Sequence, residues 1–259
     1  MERVRDRVIR GAKIRGGNVV LDVGSGTGLL ALAARRKAGP QGLIVASDIS
    51  TDALLAGVPR AASHVPTGRL VAVGADQRRL PFADSSFDVV MTRSVLIYVP
   101  EKREAVGELH RVLRAGGRVS MFEPINTEYV REGTWPGELD LSELQPAHDE
   151  VTRRWEAEDG ADDTLTDFDE KDLASFFLEA GFRDVALSYE WSVNTKRLSR
   201  GEAVWLIQVR PNPNSSSYAE TARDVLGEDA AEYLGRYLDL LVSKPLRTKQ
   251  AVAYVTAKR

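Results

Sequence analysis

Residues Asn18–Val23 (NVVLDV) lead directly into Asp22-Val-Gly24-Ser-Gly26-Thr-Gly28, and a helix-like run, Gly28–Lys37 (GLLALAARRK), follows. A short apolar run with β-branched residues reads as a buried parallel strand. Three glycines at alternate positions let the backbone turn tightly and let a ligand approach with no Cβ in the way. The helix that follows offers unpaired N–H groups and a partial positive charge at its start. Such a connection suits a nucleotide-like ligand, and its spacing narrows the choice. The dinucleotide fingerprint G-x-G-x-x-G needs glycine at position 29 or 31. The chain has Leu29 and Ala31. A phosphate loop is excluded as well, since no Gly-Lys-Ser/Thr follows.

The alternation continues. Strands are expected at Leu43–Ser47, Leu70–Val73, Ser86–Thr92 and Arg118–Phe122. Helices are expected at Thr51–His64, which Pro59 should kink or split, and at Glu101–Arg114, stopped by Gly116-Gly117. On the second helix Leu109, Val112 and Leu113 share one face. Strands alternating with helices imply right-handed crossovers and a parallel sheet, an α/β fold. The chain of 259 residues suits one such domain spanning 1–259, with a cofactor-binding half at 15–123. An insertion or lid is expected at 124–165, carrying Pro124, Pro136 and Pro146. A C-terminal half at 166–259 should hold a helix at Phe168–Ala180, a strand at Arg183–Tyr189, short helices over 200–245 around RPNPNSSS, and a last strand at Gln250–Ala257. Periodicity leaves the direction of that last strand open.

Composition removes several classes of function. A net charge of -3 does not suit a nucleic-acid surface. Without cysteine there is no disulfide framework, thiolate metal site or cysteine nucleophile, and three scattered histidines point to no metal centre. The charged start MERVRDRVIRGAK lacks the apolar stretch of a signal peptide, and no apolar run is long enough for a membrane span. A cytoplasmic protein with no membrane partner is the expectation.

Two acids give the glycine turn its partners. Asp48 ends the second strand in VASDIS, where a carboxylate can accept both hydroxyls of a ribose. As a bland alternative it caps the next helix, a role that Ser50 fills better. Asp76, followed by Gln77, comes after the third strand, where a carboxylate can accept from an adenine amino group. Together the runs VVLDVGSGTG, ASDIS, GADQRRLPFADSSFDVVMTRSVLIYV and ELHRVLRAGGRVSMFEP resemble the class I S-adenosylmethionine-dependent methyltransferases, in the small-molecule branch with the ubiquinone/menaquinone-biosynthesis-type enzymes. The resemblance covers residues 15–123. It implies a Rossmann-like methyltransferase fold with a seven-stranded, mostly parallel sheet in the order 3-2-1-4-5-7-6, an antiparallel last strand, and lid insertions. It implies S-adenosyl-L-methionine as cofactor and S-adenosyl-L-homocysteine as its product. The cofactor-binding positions implied are Asp22, Gly24, Ser25, Gly26 and Gly28, then Asp48 and Ile49, Asp76 and Gln77, and Arg93 and Ser94. Two departures stand out. About 17 residues precede the first strand, where such enzymes usually carry a longer helical cover. Tyr98 stands where many relatives have histidine.

Methyl transfer is an in-line displacement, in which alignment supplies ~7–11 kcal/mol and a general base about 3–5 kcal/mol. The absence of an obvious base therefore does not count against the reading. Glu123, at the exit of the fifth strand, is one candidate base, or else an anchor for the loop at Pro124. His148 is the other, and His110 and His64 read as packing or surface residues. Residues 149–172 carry eleven acids and three bases. They read as a solvated segment or as an acidic lid that attracts a cationic acceptor and repels nucleic acid. Trp135, Trp155, Trp191 and Trp205 could wall an acceptor pocket, although core packing is their commoner use. Either 124–165 or 200–216 should cover the reacting methyl. The function expected is methyl transfer to the O, N or C nucleophile of a small molecule, natural products included. The alternatives are a peptide or protein acceptor, a non-catalytic S-adenosylmethionine-binding protein, and an NAD-dependent oxidoreductase. The oligomeric state is left open by the sequence.

Overall fold

A computed structural model describes residues 2–63, 69–127, 139–159, 163–210 and 215–259. His64, Trp135, Pro136 and the prolines of the RPNPN run lie outside the described residues. The chain divides into two compact units, one formed by residues 1–125, 168–190 and 251–259, the other by 126–167 and 191–250.

The first unit carries the alternation. Its elements begin with α1 (Glu2–Ala12), β1 (Val19–Val23), α2 (Leu29–Ala38), β2 (Leu43–Asp48), α3 (Thr51–Ser63), β3 (Arg69–Gly74) and β4 (Phe87–Arg93). A single 3-10 turn (Leu96–Tyr98), α4 (Lys102–Val112) and β5 (Leu113–Pro124) follow. The sheet has seven strands in the order β3-β2-β1-β4-β5-β7-β6, where β6 is Arg183–Lys196 and β7 is Leu246–Lys258. The pairs β1–β2, β1–β4, β2–β3 and β4–β5 are parallel. β7 runs antiparallel to β5, from Arg118↔Lys258 to Pro124↔Val252. That settles the direction of the last strand as the resemblance implied.

Burial explains why the central strands read as unbroken apolar runs. Val20, Leu21, Val90 and Met91 are all 0% exposed, because helices cover both faces. Each such side chain contributes about 1.5–3 kcal/mol on burial. One face packs Val8 and Ala12 of α1 with Leu30, Ala31 and Ala34 of α2 and Leu54 and Val58 of α3.

Several boundaries differ from the sequence expectation. α3 is not split: it runs as one helix through position 59. α4 stops at Val112, and Leu113 already has the extended conformation of β5. The stop is therefore not at Gly116-Gly117. Those glycines sit inside the start of β5, where the register against β4 jumps between Phe87 and Val89. Gly116 has φ +75°, and its N–H donates to the Arg259 carbonyl. α6 (Glu170–Glu179) starts at Asp169, whose carboxylate accepts from the N–H groups of Lys171 and Asp172. Some of the acids in 149–172 are thus helix caps. β6 and β7 are also longer than expected, each running through residues of both units.

The second unit is helical, with α5 (Ala147–Asp159), α7 (Arg200–Gln208), α8 (Tyr218–Leu226) and α9 (Ala230–Ser243). α9 has 14 residues, so the helices over 200–245 are not all short. Ser199 and Ser217 cap α7 and α8 through capping boxes with Glu202 and Glu220. The core of this unit gathers Leu144, Val151, Ile207, Tyr218, Tyr233, Tyr237 and Leu241.

Candidate cofactor site

The C-terminal ends of β1, β2, β4 and β5 place Asp22, Asp48, Arg93 and Glu123 on one edge of the sheet, where open α/β sheets bind ligands. The glycine turn is built from the inside. Asp22 is 1% exposed, and its Oδ2 accepts from Ser25 Oγ at 2.7 Å and from Ala31 N–H at 2.9 Å. α2 has Gly28 as its N-cap and no side-chain cap of its own, so Asp22 caps that helix from the neighbouring strand. Asp22 Oδ1 is buried and has no partner. Burial pushes the Asp22 carboxyl up to about 7, opposed by the Ser25 and Ala31 hydrogen bonds and by the Arg93 charge.

The three glycines of the turn have positive φ, +66° at Gly24, +52° at Gly26 and +91° at Gly28. They differ in what surrounds them. A Cβ at Gly24 would lie 2.2 Å from Val95 Cγ2, whereas a Cβ at Gly26 would meet nothing within 4 Å. Gly24 is needed for packing, and Gly26 opens onto space that a ligand can fill. Ser25 N–H donates to Ser47 O, and Gly28 N–H to Ser25 O, both at 2.9 Å.

Asp48 closes the turn. Its Oδ2 accepts from Gly26 N–H at 2.7 Å and its Oδ1 from Ser50 N–H at 2.9 Å. Each oxygen keeps a second lone pair, so the carboxylate still has capacity for two hydroxyls. Ser50 caps α3, accepting from Ala53 N–H at 3.3 Å, so Asp48 is not needed for that role. Ile49, beside it, is 74% exposed, an apolar surface next to the carboxylate.

After β3, Asp76 is already paired. Arg78 grips its carboxylate, with Nη2 2.7 Å from Oδ2, and reaches Glu101 as well at 3.1 Å. That guanidinium holds the Asp76 carboxyl below its usual range. An adenine amino group would have to share this acceptor with Arg78. Gln77 turns the other way, its Nε2 donating to Val95 O at 3.5 Å. Ser94 follows Arg93 with φ +55°, a strained conformation for serine, and its N–H donates to Phe122 O at 2.9 Å.

Glu123 is not placed as a base. It is 0% exposed, and its carboxylate accepts from the N–H groups of Val95 and Leu96 at 3.1 Å and of Ile97 at 3.4 Å. The loop it anchors is the one after β4, not the one at Pro124. Burial pushes its carboxyl up to about 7 against those three hydrogen bonds and the Lys102 charge. Tyr98, at the end of the 3-10 turn, is 42% exposed.

His148 belongs to the second unit. It lies on α5, and its Nδ1 is 3.0 Å from the hydroxyls of both Tyr218 and Tyr233. Those hydroxyls are 2.6 Å apart. Burial lowers the imidazole pKa, favouring the neutral ring. His110 packs edge-on against Phe182. Trp155 joins the core of the second unit and donates to Ser216 O at 3.1 Å, while Trp191 and Trp205 are exposed. Sequence reasoning missed two residues of the site. Gly57 lets α3 sit on the turn, since a Cβ there would lie 2.3 Å from the Thr27 backbone. A glycine inside a helical run was the available signal. Val95 packs on Gly24, and no pattern marked it.

The geometry fits a nucleoside ligand: an open glycine, a carboxylate with two oxygens, an exposed apolar side chain and a buried unpaired acceptor. Comparisons with known proteins agree. The family model described as a methyltransferase domain matches residues 21–121. The ubiquinone/menaquinone biosynthesis C-methyltransferase UbiE of Pseudomonas putida (strain GB-1) is 40% identical over 110 residues, which is 42% of this chain. The chain spans only 43% of the length of that relative. The solved [4+2]-cyclase SpnF superposes with a TM-score of 0.57 at 20% identity, covering 100% of this chain and 81% of its own. Phosphoethanolamine N-methyltransferase 2 of Haemonchus contortus, solved with phosphomonomethylethanolamine and S-adenosylhomocysteine, has a TM-score of 0.56 at 14% identity, covering 100% of this chain and 52% of its own. At these identities the structures speak for the fold alone. Residues 21–121 thus match a methyltransferase domain, 110 residues are similar to curated C-methyltransferases, and the fold is shared with a solved N-methyltransferase.

Proposed function

We propose that this chain transfers a methyl group from S-adenosylmethionine to a nucleophilic O, N or C atom of a small molecule, natural products included. One observation carries the reading: Asp48 clasps the open Gly26 turn while keeping acceptor capacity on both oxygens. When bound, the cofactor supplies an electrophilic methyl on a sulfonium sulfur. The protein's own groups then orient and exclude water. Asp48 would hold the ribose hydroxyls, and Ile49 would pack against the base. Gln77 and Asp76 would border the base, Asp76 sharing its carboxylate with Arg78. The unpaired Asp22 Oδ1 and the Arg93–Ser94 segment would receive the polar methionine end.

With Glu123 buried, the first unit offers no carboxylate base at the end of β5. Alignment alone, worth ~7–11 kcal/mol, outweighs what a base adds.

A second reading is a cofactor-binding protein that transfers no methyl. The fold is shared by a protein described as a [4+2]-cyclase, so architecture does not fix the chemistry. Among the described residues no helix is long and apolar enough to cross a membrane. We take the acceptor to be a diffusible small molecule in the cytoplasm, and a basic peptide is the other acceptor to screen. The test is incubation with trideuteromethyl-labelled cofactor and metabolite and peptide pools, read by mass spectrometry. Label in a product supports the transferase. Cofactor binding with no labelled product in either pool overturns it.

A further inference from the structure

Val95 is touched by three separate parts of the cofactor edge. Its N–H donates to Glu123 Oε1, at the end of β5, at 3.1 Å. Its carbonyl accepts from Gln77 Nε2, in the loop after β3, at 3.5 Å. Its side chain occupies the space where a Cβ on Gly24 would lie, 2.2 Å from Cγ2 and 2.8 Å from Cγ1. The residue before it, Ser94, is held with φ +55°. A strained residue persists only where its surroundings over-determine it. Here the surroundings are Glu123, which takes the next three N–H groups, and Phe122, whose carbonyl takes that of Ser94.

We infer that Glu123 is a positioning residue for cofactor binding: it fixes Val95 against Gly24 and so sets the shape of the glycine turn. The inference rests on the reading of this edge as the S-adenosylmethionine site. The physical chain is short. A buried carboxylate with three N–H donors pins residues 95–97. The pinned segment presses the Val95 isopropyl group onto a glycine that has no side chain to yield. The turn then presents Gly26 N–H to Asp48 and keeps the Gly26 Cα face open. Lys102 of α4 sits in the same buried region, its Nζ donating to Val99 O at 2.9 Å, and its charge favours the ionised carboxylate. All three N–H groups are best served by that ionised form, since a protonated carboxyl sets an O–H against an N–H donor.

The test compares the full-length wild type with Glu123→Gln, Glu123→Ala and Val95→Ala. Hydrogen exchange at the amides of Val95, Leu96 and Ile97 is read without ligand. S-adenosylhomocysteine affinity is read by calorimetry on folded protein, and melting by fluorescence. Glu123→Gln keeps one carbonyl oxygen for Val95 and Leu96 but turns an NH₂ toward Ile97 N–H. The expected order is graded: exchange at all three amides accelerates in Ala and partly in Gln. Affinity falls about tenfold in Ala, as for one lost hydrogen bond to a charged group, and less in Gln. Val95→Ala should leave exchange at Leu96 and Ile97 slow yet still weaken binding. If Glu123→Ala does not fold, Gln and Val95→Ala decide. Unchanged exchange at 95–97 in Glu123→Gln overturns the inference whether or not any ligand binds. So does lowered melting with unaltered affinity, which is what a purely structural residue would give. Wild type that binds no S-adenosylhomocysteine would instead sink the reading of the site, while accelerated exchange in Glu123→Gln would still support the clamp.

Discussion

The two units of this chain solve the same problem with different means. In the first, carboxylates point at backbone: buried Asp22 caps α2, half-buried Asp48 holds Gly26 and Ser50, and buried Glu123 holds three consecutive N–H groups. In the second, side chains such as Ser217 also serve backbone, but a cluster of buried phenols meets side chain to side chain. Tyr218, Tyr233, His148 and Thr152 form a hydrogen-bonded set among aromatic rings, with Tyr233 and Tyr237 stacked at 6.0 Å. Carboxylates that fix backbone shape a surface for a ligand. Phenols that satisfy each other hold a core together. The difference fits the cofactor site proposed in the first unit.

Glycine substitutions should separate the two units by the largest effect. Gly24→Ala should cost about 2–4 kcal/mol and abolish S-adenosylhomocysteine binding, because the new Cβ collides with Val95 and φ is positive. Gly57→Ala should follow closely, since its Cβ meets the Thr27 backbone. The counterpart in the second unit is Gly235, inside α9, where a Cβ meets nothing within 4 Å. Gly235→Ala should raise stability by about 0.5–1 kcal/mol and leave binding alone. Chemical denaturation and calorimetry on the three variants check this set, and equal effects at Gly24 and Gly235 would erase the contrast.

Next in size is the phenol cluster. Tyr218→Phe should lower stability by about 1–2 kcal/mol, by leaving Tyr233 and His148 short of a partner, and leave cofactor affinity unchanged. A tenfold loss of affinity would instead bring this core into cofactor recognition.

The pH dependence separates the units again. The Asp22 and Glu123 carboxyls are both pushed up to about 7 in the folded chain, from ordinary values near 4. Between those values the folded state holds protons that the unfolded state has released. Their contribution to stability is therefore fully present below about pH 4 and is lost as pH rises through about 7. Burial lowers the pKa of His148, so its contribution runs the opposite way, growing as pH rises toward its ordinary value. The stability difference between wild type and Glu123→Gln should vary between pH 4 and 8, which denaturation at a series of pH values measures. A flat difference contradicts the burial effect. The smallest effect is expected at Ile49, which is 74% exposed. Ile49→Ala should stay within about 0.5 kcal/mol in stability while weakening cofactor affinity a few-fold.

These contrasts explain what could be read from the sequence and what could not. The turn Asp22–Gly28, the acids at 48 and 76 and the strand alternation are local patterns, each fixed by neighbours a few residues away. The roles of Val95, Gly57 and Glu123 are not local. Gly57 matters because of Thr27, and Glu123 because of an N–H run 26 to 28 residues earlier. Gly116-Gly117 misled for the same reason: a glycine pair after a helix usually ends it, yet here it turns the chain into β5 and binds Arg259. The second unit was hardest to read. Its core brings residues 148, 218, 233 and 237 together from three helices, and no motif announces that meeting.

If the glycine turn and Asp48 together hold S-adenosylmethionine, calorimetric titration of S-adenosylhomocysteine will show binding to wild type, a loss of about tenfold or more in Asp48→Ala, and no binding of NADH as the control ligand. Equal affinity in wild type and Asp48→Ala, or binding of NADH alone, would mean that this turn is not the cofactor site.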